Sequence, residues 1–90
     1  MKLSDVVRIP QAVIARQVGD ETVMLDLANG TYYSLDPVGA RMWQLLVEGK
    51  TLAAVCDTMV DEYDVSRDDV ERDLLILVDN LATHGLIVPA

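Results

Sequence analysis

The residues able to do chemistry in this chain are few, and their spacing does not assemble them. There is one histidine, His84, and one cysteine, Cys56, and they lie far apart in sequence. Zinc needs three or four His, Cys or acidic ligands in a converging set, which a single histidine and a distant thiol do not supply. Cys56 sits in an apolar helical stretch beside Val55, the surroundings of a buried structural thiol rather than an activated nucleophile. His84 falls in the last turn of a helix, just before Gly85, where the helix dipole favours a cation. Neither residue has an assigned role. Carboxylates come in pairs, Asp61 with Glu62 and Asp68 with Asp69, followed by Glu71 and Asp73. Paired acids can do general acid–base work. Here they fall at helix ends and on polar helix faces, where they solvate the surface and complement helix N-termini. No glycine-rich phosphate loop is present. The sequence therefore predicts no enzyme, no metal and no cofactor.

Composition narrows the remaining classes. The 90 residues are enough for one domain, and 51% hydrophobic content is enough for a core, carried by Val and Leu because Phe is absent. Seven basic against fifteen acidic side chains give a net charge of −8. That balance opposes binding to nucleic acid or to anionic lipid. A lone cysteine, no signal-peptide pattern in "MKLSDVVRIPQ" and no apolar run long enough to span a bilayer predict a cytoplasmic protein without a membrane anchor.

The elements that must position any site change character near Asp36. Before it the apolar period is about 2; after it, about 3.6. "QAVIARQV" after Pro10, "ETVMLDL" after a Gly19-Asp20 turn, and "TYYSL" after "ANG" read as three strands. Two hairpin registers are open for the last pair. An Asn29-Gly30 turn places Leu27 beside Tyr32. A three-residue loop with left-handed Gly30 places Tyr33 and Leu35 beside Leu25 and Val23. The second is expected, because it gathers Val23, Leu25, Leu27, Tyr33 and Leu35 on one buried face. Asp36-Pro37 then opens a helix to about Glu48, with Val38, Met42, Leu45 and Leu46 inward and Trp43 as a core anchor. Thr51 caps a second helix to about Tyr63, with Leu52, Val55, Met59 and Val60 apolar. Ser66, with Asp69 three residues on, opens a third to about His84, with Val70, Leu74, Leu77, Val78 and Leu81 as its core stripe. The expected fold is α+β: a small three-stranded antiparallel sheet followed by three helices, in winged helix-turn-helix proportions. A winged-helix DNA-binding regulator is the alternative function. The start of its reading helix, "SRDDVERDL", carries four carboxylates beside Arg67 and Arg72, which would repel phosphates.

Two features exceed the needs of a core. The run "LLILV" at 74–78 is apolar over a wide arc, with Leu75 and Ile76 outside the main stripe. The "TYYSL" strand has one sequence neighbour and a side left to fill. An open strand edge beside an apolar helix is a groove in which an extended peptide can pair its backbone and lay alternate side chains against the helix.

The stretch "VMLDLANGTYYSLDPVGARMWQLLVEGKTLAAVCDTMVDEYDVSRDDVERDLLILVDNLATHGLI" resembles the PqqD-like domains, the precursor-peptide recognition elements of ribosomally made, post-translationally modified peptides. The resemblance spans about residues 10–88 and is carried most specifically by Leu25-Asp26, Gly30, Tyr32-Tyr33, Leu35, Gly39 and Trp43-Gln44-Leu45-Leu46. "NGTYYSLDPVGARMWQLL" is most similar to the stand-alone recognition proteins of lasso-peptide clusters. The resemblance implies a single domain over 1–90 that binds a leader peptide by strand addition and does no chemistry itself. The leader would pair with Thr31, Tyr32, Tyr33, Ser34 and Leu35 and contact the third helix at Asp69, Val70, Asp73, Leu74, Ile76 and Leu77. Tyr33, Leu35, Val70, Leu74 and Leu77 are the expected pocket walls. The implied partners are a leader peptidase and a macrolactam cyclase, or a radical-SAM enzyme in other systems. Without peptide, the free edge allows either a monomer or an edge-paired dimer.

Overall fold

Asp36 is the hinge of the architecture, ending the sheet and starting the helices. In the computed structural model, which describes all 90 residues, its Oδ1 accepts from the Gly39 amide at 2.8 Å and Pro37 takes the first helical position. Before it lie β1 (Val7–Arg8), β2 (Val13–Val18), β3 (Glu21–Asp26) and β4 (Thr31–Leu35); after it come α1 (Pro37–Val47), α2 (Leu52–Glu62), α3 (Arg67–Thr83) and β5 (Val88–Pro89). The other helices start the same way. Thr51 accepts from Ala54 N at 3.1 Å and Ser66 accepts from Asp69 N at 3.2 Å.

The main sheet is antiparallel in the order β2-β3-β4, which is the expected α+β layout of three strands and three helices. Two short strands at the ends were not expected. β1 and β5 pair with each other, Val7 opposite Pro89 and Arg8 opposite Val88. Strands of two residues carry no period to read.

The register of β3 with β4 differs from both expected ones. Thr22 lies opposite Leu35, Met24 opposite Tyr33 and Asp26 opposite Thr31. The connection is therefore the four residues Leu27 to Gly30. Asp26 fixes it: its carbonyl accepts from Gly30 N at 2.7 Å and its Oδ1 accepts from Ala28 N at 2.9 Å. Asn29 Oδ1 then accepts from Thr31 N at 2.9 Å, and Gly30 closes the turn at φ 75°. The buried face of β3 is Thr22, Met24 and Asp26, not Val23, Leu25 and Leu27. Val23 and Leu25 are half-buried on the opposite face, and Leu27 is exposed in the loop.

Nineteen buried apolar residues form one core between the sheet and the helices. Trp43, Met42, Leu45 and Leu46 of α1 are in it as expected, with Leu52, Val55, Cys56 and Met59 of α2 and Val70, Leu74, Val78 and Leu81 of α3. Val38 is not: it is exposed. Arg41 ties α1 to α2, its Nε donating to Glu62 Oε1 at 2.7 Å and its Nη2 to Oε2 at 2.6 Å. Arg67 ties α3 to α2 through Asp57 and reaches Glu71 one turn along at 2.8 Å. No helix is long and apolar enough to cross a membrane.

Candidate functional site: a groove along the sheet edge

Because β3 lies between β2 and β4, one side of β4 has no partner strand. An antiparallel edge strand uses alternate residues for its neighbour and leaves the amides and carbonyls between them facing outward. The side chains of β4 divide in the same rhythm. Tyr33 and Leu35 turn toward the helices, Leu35 fully and Tyr33 half buried, while Tyr32 and Ser34 are exposed.

Beside this edge is a hollow of about 320 Å³, lined from three elements. β4 supplies Tyr33, Ser34 and Leu35. The start of α1 supplies Val38, Gly39 and Met42, with the cap residue Asp36. α3 supplies Asp73, Ile76, Leu77 and Asn80. The α3 residues recur at three- and four-residue spacing, one stripe of a helix. Ile76 is 54% exposed in this stripe, a large apolar side chain with no internal partner on that side. Gly39 sits in the first turn of α1, facing the cap and the last residue of β4. A Cβ there would lie 3.3 Å from Asp36 Oδ1 and 3.5 Å from Leu35 Cβ.

Of the residues expected to meet a peptide, Tyr33, Ser34, Leu35, Asp73, Ile76 and Leu77 converge on this hollow. Val70 and Leu74 do not form its walls; they are buried at 4% and 0% exposure in the core. Asp69 lies one turn before Asp73 and accepts from Arg72 Nη2 at 2.9 Å, outside the lining. Thr31 sits at the far end of β4, opposite Asp26. Tyr32 projects from the other face of the sheet at 66% exposure, where with Ile14, Val18, Val23 and Leu25 it lines a second, mostly apolar hollow of about 340 Å³.

Five lining residues were not anticipated: Asp36, Val38, Gly39, Met42 and Asn80. Val38 was read as inward because its helical phase matches Met42, but at the second position of α1 that phase points past the sheet edge. His84 also acquires a place. Its ring meets Tyr33 edge to face, with centroids 5.3 Å apart at 64°. Its Nδ1–H donates to the Asn80 carbonyl at 2.7 Å, which fixes the ring against that wall.

The chemistry of this arrangement is recognition. No three His, Cys, Asp or Glu side chains gather into a metal-binding set. Burial pushes the Cys56 thiol up, which keeps it protonated in the core and away from the groove. What the groove offers is an open backbone edge, an apolar hollow beside it and two carboxylates at its rim.

Comparison with known proteins agrees with this geometry. No curated protein matches the chain. Among solved structures, the chain is similar to one described as TbiB1 in complex with the TbiA(beta) leader peptide, at 44% identity and a TM-score of 0.85, covering 89% of this chain and 93% of that one. It is also similar to a lasso peptide synthetase B1 complexed with the leader peptide, at 32% identity and a TM-score of 0.85, covering 92% and 98%. The family described as coenzyme PQQ synthesis protein D (PqqD) matches residues 21–87, from β3 through α3 to the last buried pair before β5. A match of that extent, over about three quarters of its residues, places this chain in the PqqD family.

Proposed function

We propose that this chain is an adaptor that binds the leader peptide of a ribosomally made precursor and presents it to the enzymes that modify it, without chemistry of its own. The observation that carries the proposal is the open edge of β4 set against Ile76 and Leu77 of α3, with a hollow of about 320 Å³ between them. The leader adds as a strand to β4. Its inward side chains enter the hollow among Tyr33, Leu35, Ile76 and Leu77, and its outward ones lie beside Tyr32 and Ser34. The solved relatives described as leader-peptide complexes support this reading, and the description of one of them as a lasso peptide synthetase B1 supports a lasso-peptide system. In such a system the partners are a leader peptidase and a macrolactam cyclase.

The test is calorimetry of the purified protein with the leader of its own precursor, followed by mass spectrometry of the recovered peptide. One-to-one binding with an unchanged peptide mass is expected. Cleaved or modified peptide with the pure protein alone would overturn the adaptor reading, and absence of binding would overturn peptide recognition itself.

A further inference from the structure

The groove has a charge polarity. Its lining holds two carboxylates, Asp36 and Asp73, and no cation. Asp36 Oδ1 is committed to the Gly39 amide. Asp73 has no such commitment. Its nearest cation is the neighbouring Arg72, whose Nε is 3.7 Å from Oδ1, beyond hydrogen-bond distance, while the Arg72 Nη2 is given to Asp69 at 2.9 Å. Both groove carboxylates stand at one end. Tyr33 meets His84 at the C-terminal end of α3. Asp73 is eleven residues earlier on that helix, about 16 Å away at 1.5 Å per residue. β4 runs from Tyr33 toward Leu35 and Asp36, so its C-terminal end is the acidic one.

We infer that the groove reads a positively charged side chain on the N-terminal flank of the bound peptide, with Asp73 as the residue that selects it. This rests on the peptide-binding function proposed above and adds a sequence requirement to it. The direction follows from pairing. The sheet is antiparallel throughout, and antiparallel pairs are the more stable per residue. A peptide added in that sense has its N-terminal side opposite Leu35 and its C-terminal side opposite Thr31. Its alternate apolar side chains fill the hollow by Tyr33, Leu35, Val38 and Ile76. A Lys or Arg just before them reaches the carboxylate of Asp73 across the rim.

The probe is a phage-displayed library of random linear peptides, panned at low ionic strength on the whole protein and on Asp73→Asn. The substitution is isosteric and its side chain is exposed, and circular dichroism checks that the fold is kept. The wild type should enrich peptides with apolar residues at every second position and a Lys or Arg on their N-terminal side; Asp73→Asn should keep the apolar pattern and lose the cation. In a selected peptide made synthetically, replacing the cation by norleucine should weaken binding to the wild type about twofold to fivefold, as for an exposed ion pair. The same replacement should leave binding to Asp73→Asn unchanged. Enriched peptides without a cation, or with one that Asp73→Asn selects equally, would overturn this inference and leave peptide recognition standing. A cation enriched on the C-terminal side would overturn the antiparallel placement. No enriched peptide at all would overturn the peptide-binding function itself.

Discussion

Ile76 and Leu74 lie on one helix two residues apart, and truncating each should do opposite things. Leu74 has no exposed surface. Leu74→Ala removes a buried side chain and leaves a cavity, so it should cost about 2–5 kcal/mol of stability. In a domain of this size each kcal/mol lowers the melting temperature by about 4–8 °C, so the variant should melt far below the wild type or fail to fold. Ile76 is 54% exposed and lines the groove. Complete burial of such a side chain is worth about 1.5–3 kcal/mol, and roughly half of that area is still open to be covered by a ligand. Ile76→Ala should therefore lose about 0.8–1.6 kcal/mol of binding, which is about fourfold to fifteenfold in Kd. Its melting temperature should change little, since exposed positions contribute within about 0.5 kcal/mol. Fluorescence anisotropy with a labelled leader peptide reads the first effect, and thermal melting by circular dichroism reads the second. If Ile76→Ala binds within twofold of the wild type, the α3 stripe is not part of the site. If it melts as low as Leu74→Ala, Ile76 belongs to the core and the groove has been misplaced.

Tyr33→Ala should weaken leader binding by about tenfold, and His84→Ala by a smaller factor, because the edge-to-face contact that fixes Tyr33 is worth about 0.5–1.5 kcal/mol. Cys56→Ala should leave affinity unchanged; equal affinities for all three folded variants, measured by anisotropy, would remove Tyr33 from the site. N-methylation of single leader residues deletes one backbone donor at a time, and each paired position should lose about threefold to tenfold in affinity. Calorimetry across the series should show a period of two along the bound segment, and a period near 3.6 would mean that the leader binds as a helix. The Arg41 guanidinium holds the Glu62 carboxyl below its ordinary range, so the bridge stabilises the fold above the unfolded-state pKa of about 4.3 and is lost as pH falls through the lower folded value. The melting temperatures of wild type and Arg41→Met should differ at neutral pH and converge in acid; a gap that persists well below pH 4 would show that Arg41 acts through packing instead.

The helices were legible in the sequence because their signals are local. Asp36, Thr51 and Ser66 each cap through an amide three residues on, so the capping residue and its partner are read from the same few positions. The sheet was legible in its strands and not in its register. On β3 the outward residues, Val23 and Leu25, are as apolar as the inward Met24, while the inward set includes Thr22 and Asp26. Alternation alone therefore chose the wrong face, and the deciding residue was a buried aspartate that closes a four-residue loop. The site divides along the same line. Tyr33, Leu35, Ile76 and Leu77, which the family resemblance implied, line the hollow, and of these Ile76 also stood out in the sequence as an apolar residue outside the core stripe of its helix. Asp36, Val38, Gly39 and Met42 join the groove because α1 starts directly from the end of β4, and Asn80 because it lies one turn beyond Ile76 and Leu77 on α3. His84 was passed over because it has no chemistry to offer, and its part is mechanical.

The clasp between β1 and β5 holds the tail of the chain beside its first strand. Ala90 N donates to the Val6 carbonyl at 2.9 Å, which sets the tail beside the start of β1, while residues 1–5 run on to α2, where the Asp5 and Leu3 carbonyls accept from Leu52 N at 3.0 Å and Ala53 N at 2.8 Å. A unit whose first strand and tail lie side by side is portable. It can be spliced into a surface loop of another protein without stretching the host, or closed by a short linker and reopened elsewhere.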